Sequence, residues 1–309
     1  MVSVKRKNDK KMKKYLLYAL LFAGVGTSMT SCSEDDLSKT SVITVDKQEE
    51  NEFDQWLNLN FVSSYNLNFA YRYEDKEVDM NYYHVPANMD ASIEMAHLLK
   101  YLCLEAYDEV AGVNFTRAYF PKMIYLDGEF EWRNNGTMIL GTAEGGKKIL
   151  LTGINYLDQY INNVDVLNEY YFKTIHHEFT HILNQTKDYS AAFQLITGSG
   201  YVADSWSNET YSEGYLKRGF ISAYSQHSHA EDFAEMMSIY ITNTPAQWEA
   251  WMEEAGDEGR AAIEAKLEIV KDYMQSSWNI NLDDLRSTIL RRQNDVAAGK
   301  VDLTDISVK

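Results

Sequence analysis

The sequence predicts an α+β fold: a small mixed or antiparallel sheet and one long helix in a first subdomain of about residues 51–186, then a mainly helical subdomain of about residues 187–300. Three observations predict it. Between Phe120 and Thr152, the short apolar runs "FPKMIYL", "TMILGT" and "KKILLT" are separated by "DGEFEWRNNG" and "AEGG", which is turn chemistry. From Val164 the period lengthens, with Val164, Leu167, Tyr171, Ile175, Phe179 and Ile182 at three- and four-residue steps, the spacing of one helix face. Beyond residue 229, "HAEDFAEMMSIYI", "TPAQWEAWMEEA", "GRAAIEAKLEIVKDYMQSSW" and "DDLRSTILRRQ" all carry helical patterns.

Taken in order, residues 1–31 stand apart from this fold. A basic head, an apolar run near Tyr15–Val25 and small residues before Cys32 have the form of an export signal. The run is about a dozen residues, short of the roughly 20 that span a bilayer, so no retained transmembrane helix is expected. "MTSC" resembles a bacterial lipobox, which implies acylation of Cys32 and a mature chain starting there. Residues 32–50, polar and acidic without a period, then read as a flexible tether. The acidic run directly after Cys32 resembles the surface-export signal of Bacteroidetes-type lipoproteins. The chain has two cysteines, so an acylated Cys32 leaves only Cys103, in "AHLLKYLCLEAY", as a small core hydrophobe.

The formal net charge is −17. Residues 1–31 hold seven basic side chains against Asp9 alone, so the remainder is more acidic still. A surface of that sign repels nucleic acid, and no nucleic-acid partner is expected. In the folded part, residues 90–111 have helical spacing with Asp90 as N-cap. "GTAEGGKK" nearly matches a phosphate-binding loop, but Lys148 stands where Ser or Thr would hold magnesium, and an apolar strand follows where a helix should begin. It is read as a hairpin turn.

The helix from Val164 carries "HHEFTH". Residues four apart on a helix lie about 40° apart around the axis and one turn up, so His177 and His181 project together, whereas the same step from His176 lands on Thr180. Two imidazoles so placed can take two corners of a tetrahedral zinc site, and Glu178 can lean over the metal as a base for water. This is the HExxH pattern. Its extension to a third histidine, HExxHxxGxxH, fails because Asn184 and Lys187 occupy the Gly and His places. The other route is a carboxylate on a second helix: in "AYSQHSHAEDFAEMMS", Glu231 could ligate while Glu235, one turn on, holds the outer nitrogen of a ligating histidine. His227 and His229, in the loop before that helix, are competing ligands. One zinc per chain is expected.

"HEFTH" followed by "YSQHSHAEDFAE" resembles the glutamate-type zincin metallopeptidases, among them the catalytic domain of anthrax lethal factor. With the lipobox, the chain resembles the Bacteroidetes-type substrate import-associated zinc metallohydrolase lipoproteins. The resemblance implies a zincin-like fold, zinc on His177, His181 and Glu231, Glu178 as general base and Tyr224, seven residues before Glu231, as electrophilic helper. It also implies a lipid-anchored peptidase at the outer-membrane cell surface, with a peptide or protein as substrate and an outer-membrane nutrient importer as a partner. The alternative from another class is a zinc-containing accessory or binding lipoprotein of that importer without peptidase activity. Glu178 speaks against it, since a structural zinc site needs no base and closes with four protein ligands.

Overall fold

The computed structural model describes residues 49–308 apart from 134, 135, 137, 140, 145 and 146. The signal of residues 1–31, Cys32 and nearly all of the tether lie outside the described residues.

Two elements unanticipated in the sequence open the fold. Helix α1 (Glu52–Leu57) runs on as a π-helical Asn58–Ser63, and Asn51 with Asp54 closes a reciprocal capping box at its start. Strand β1 (Asn68–Ala70) follows, too short for its alternation to stand out. The first long helix, α2, comprises Met89–Leu99, the π-helical Lys100–Leu104 and Glu105–Ala111. Its N-cap residue is Asn88 rather than Asp90, which sits in the first turn, where its charge faces the positive end of the helix dipole. Gly112, at φ 84°, ends α2 in a conformation that a side chain would strain, and α3 (Val113–Tyr119) starts at once.

The sheet is mixed, as expected, but it has four strands rather than three. Strand β2 (Met123–Leu126) pairs in parallel with β1 on one side and β6 (Lys148–Leu151) on the other, and β5 (Gly141–Glu144) closes the sheet antiparallel to β6, in the order β1-β2-β6-β5. β2 and β6 are buried almost throughout, as parallel strands covered on both faces must be. The apolar run at 137–142 is split: Met138 and Ile139 form β4 (Met138–Ile139), paired with β3 (Glu131–Trp132) in a separate two-stranded ladder, before β5 begins. β5 and β6 pair antiparallel from Glu144–Lys148 to Gly141–Leu151, as a hairpin at "GTAEGGKK" requires, while Gly145 and Gly146 lie outside the described residues.

Helix α4 consists of Val164–Leu167, the π-helical Asn168–Phe172 and Lys173–Thr186 without a break. Its last section lies against β5. From Leu167 on its apolar face is buried: Phe179 meets Tyr107, Phe115 and Phe120 at ring separations of 5.0, 5.9 and 5.0 Å. Residues 187–228 form short helical turns. Then come α5 (His229–Thr242), α6 (Pro245–Trp278), which is interrupted at Gly256 (φ 67°), and α7 (Leu282–Ala297). α5 packs directly on α4, so the two helices joined by the long 187–228 connection form one layer. Among the described residues no helix is long and apolar enough to cross a membrane. Cys103 is buried and His176 lies beside it, 3.8 Å from Sγ, with Tyr107 Oη 3.1 Å from the other ring nitrogen. Burial pushes the His176 pKa down to about 3, so it is a neutral core residue.

Candidate metal centre

The centre forms where two helices cross. On α4, the burial of Ile175, Phe179 and Leu183 turns the opposite stripe, with His177 and His181, toward α5. On α5, Ser228 caps the N-terminus by accepting from the Glu231 amide at 3.3 Å, which fixes Glu231 in the first turn, facing the pair.

Nε2 of His177 lies 2.9 Å from Glu231 Oε2, Nε2 of His181 lies 3.2 Å from the same oxygen, and the two Nε2 atoms are 3.1 Å apart. Three donor atoms at zinc distances of about 2.0–2.1 Å in a tetrahedron stand about 3.3 Å from one another. The residues therefore fit a zinc ion. Two histidines and one carboxylate are also the donor set of catalytic zinc sites that leave a fourth position open.

The surroundings hold this set. Glu235, 1% exposed, receives the His177 Nδ1 side at 2.9 Å and accepts from Ser222 Oγ at 2.7 Å, with Lys173 Nζ 3.3 Å away. That leaves Nε2 of His177 as the atom turned to the centre. Burial works against the His177 imidazolium, yet hydrogen bonds to Glu231 and Glu235 carry its pKa up to about 9. Burial likewise opposes ionisation of Glu231 and Glu235. The two histidines hold Glu231 well below the carboxylate range, and Lys173 and His177 bring Glu235 down to about 2.

Tyr224 sits over the site, its ring 6.0 Å from that of His177 and edge-on to Trp206 at 5.1 Å. Burial, then the charges of Glu231, Glu235 and Glu178, push its phenol well above the ordinary value, so it is a neutral donor. Glu178, next to His177 on α4, is close enough to act electrostatically on both His177 and Tyr224. The competing histidines point elsewhere: His229 Nδ1 pairs with Tyr189 Oη at 2.7 Å, and His227 Nε2 lies 3.4 Å from Asp204. Neither joins the His177, His181, Glu231 cluster.

Sequence reasoning missed Ser222, Lys173 and Trp206. Lys173 stands four residues before His177, on the same face, and could have been found from that step. Ser222 and Trp206 belong to the irregular 187–228 connection, where no periodicity points inward.

The fold and this cluster define a metallopeptidase-type centre. A family model described as "Putative zinc-binding metallo-peptidase" matches residues 46–283. A solved structure from Bacteroides caccae ATCC 43185, titled as "a putative zinc-binding metallo-peptidase", is similar with a TM-score of 0.73 and 41% identity, covering 86% of this chain and 100% of its own. The chain belongs to this family of zinc-binding metallopeptidases. A search of curated proteins gave no match.

Proposed function

We propose that the chain hydrolyses peptide bonds at this centre, with His177, His181 and Glu231 as the zinc ligands, Glu178 as general base and Tyr224 as the oxyanion donor. The observation that supports the reading is the cluster, among the described residues, of three ligand-type side chains next to a carboxylate and a neutral phenol. When bound, zinc supplies Lewis acidity, lowering the pKa of a water toward about 7 and polarising a carbonyl. Glu178 takes the proton of the attacking water and returns it to the leaving amine. Tyr224, kept protonated by burial and its acidic neighbours, donates to the oxygen of the scissile carbonyl as charge develops there. Glu235, Ser222 and Lys173 keep the His177 ring fixed throughout.

Among the described residues strand β5 is one of the two edges of the four-stranded sheet, and it is the one that lies against α4. An extended peptide pairing with that edge would run past the HExxH turn, which is how substrate is presented in this proposal. The location belongs to the same reading: the lipobox-like "MTSC" and the acidic residues after it support a lipid anchor on Cys32 at the bacterial outer surface. Association with a nutrient importer rests on the family resemblance stated for the sequence.

Three variants test the mechanism on any peptide that the wild type cleaves from a random library. Glu178→Gln should keep zinc and fold while turnover falls about 10² to 10⁴-fold. Tyr224→Phe should cost about 10² to 10³ in rate with little change in substrate binding. His177→Ala should lose zinc and activity together. Glu178→Gln turning over like wild type would sink the mechanism, and a wild type that cleaves nothing in the library would favour the accessory binding lipoprotein.

A further inference from the structure

Away from the helix crossing, a second group of metal-type side chains comes together at the end of strand β2. His84 comes from the loop before α2, Asp127 directly follows β2, and Glu131 opens β3. The side chains are 3%, 0% and 3% exposed, and one donor atom from each lies within 4.8 Å of the others. His84 Nδ1 is in direct contact with Asp127 Oδ2 and 3.9 Å from Glu131 Oε1.

The orientation of the group is fixed from outside. The second ring nitrogen of His84, Nε2, is 2.7 Å from the Asp79 carbonyl oxygen, which can only accept, so Nε2 carries its hydrogen. The second oxygen of Asp127, Oδ1, accepts from the amides of Val85 and Glu129, each at 3.2 Å. A backbone bond from Gly128 to Val85 at 2.9 Å ties the two loops together beside them. With Nε2–H committed, a neutral His84 turns the lone pair of Nδ1 onto carboxylate oxygens. That contact is repulsive unless a cation stands at Nδ1. Two cations can do so, a proton or a metal ion. A proton on Nδ1 engages Asp127 alone, whereas a metal ion there can take an oxygen from Asp127 and one from Glu131 together. A ligating histidine whose outer N–H is bound by a backbone carbonyl is the usual arrangement in metal sites.

We propose that His84 Nδ1, Asp127 and Glu131 form a second site for a divalent transition ion, which clamps the loop before α2 onto the end of the sheet. One imidazole with two carboxylates suits Zn²⁺ or Mn²⁺ better than the all-oxygen ions Ca²⁺ and Mg²⁺. The site is independent of the helix-crossing centre, and its metal takes no part in the hydrolysis proposed there.

The full chain, purified in detergent and stripped with a chelator, is dialysed against Zn²⁺ or Mn²⁺, and its metal content is read by elemental analysis. Two equivalents of one ion, or one of each from a mixture, are expected. The decisive background is His177→Ala/His181→Ala, which removes the first centre and leaves the second untouched. This double variant should keep close to one equivalent, and adding Glu131→Gln or Asp127→Asn should reduce it to near zero. Metal loading of the double variant should also slow proteolytic cleavage within residues 79–88. A double variant that stays folded by circular dichroism and takes up neither ion would overturn the proposal and leave a protonated His84 as the cation. Uptake that is unchanged by Glu131→Gln and Asp127→Asn would overturn it as well.

Discussion

Lys266→Met should be among the most destabilising single changes outside the metal centre, and the reason lies in a buried ion pair. Lys266 on α6 and Asp232 on α5 are both 0% exposed, with Nζ 2.6 Å from Oδ2. Nζ also donates to the Gly219 carbonyl at 2.8 Å and stands 4.0 Å over the Phe220 ring, while Tyr201 Oη donates to Asp232 at 3.0 Å. Gly219 has φ 83°, and an added Cβ would meet Ala262 at 2.7 Å, so the backbone can come this close only as glycine. At 2.6 Å and an effective dielectric of about 20, the ionic attraction is about 6 kcal/mol. Most of it offsets the removal of two ions from water, so the net contribution of the pair is small. Losing one partner is different. With methionine at 266 the packing volume remains, but Asp232 is buried opposite no cation, at a cost of about 3–5 kcal/mol. For a domain of this size that is a fall of about 6–20 °C in melting temperature. The double variant Asp232→Asn/Lys266→Met removes both charges and keeps an acceptor for Tyr201, so it should recover most of the loss. Thermal melts of the three proteins at fixed zinc concentration decide it. A loss below about 1 kcal/mol in Lys266→Met, or a double variant no more stable than the single one, would refute the reasoning.

Three further outcomes are expected. Glu235→Leu, which removes the carboxylate that fixes His177, should weaken zinc binding about 10 to 100-fold in competition with a chelating indicator, while circular dichroism stays that of the wild type. Although burial works the other way, Arg72, the Asn51 amide and Tyr71 lower the Asp54 pKa, so the native state binds fewer protons there than the unfolded chain. The resulting stability is present above the ordinary aspartate range and lost as pH falls through the native value. Asp54→Asn should therefore flatten the acid limb of a denaturation series below about pH 4. Finally, Cys32→Ser should move the protein from the membrane fraction to the soluble fraction and abolish labelling by a fatty-acid analogue. A variant that stays in the membrane would rule out the lipid anchor.

What the sequence determined by itself is whatever depends on neighbours along the chain. A four-residue step on one helix brings His177 and His181 together whatever surrounds them, and the same rule places Glu231 and Glu235 on one face of α5. The turn chemistry of 141–148 closes a hairpin for equally local reasons, and the helices from residue 229 onward follow from their apolar period. Tertiary structure decided the rest, because it depends on which segments meet. Glu231 rather than His227 or His229 faces the histidine pair because Ser228 starts α5 where it does and α5 packs on α4. Ser222 reaches Glu235 from an irregular segment that shows no pattern in sequence. The three parallel strands had to be brought side by side by connections of tens of residues, so β1, three residues long, left no local trace. The group at His84, Asp127 and Glu131 is invisible in sequence for the same reason. Its first two members are separated by two helices and a strand, and only the packing of that loop against the end of β2 turns scattered polar residues into a cluster of ligand-type atoms.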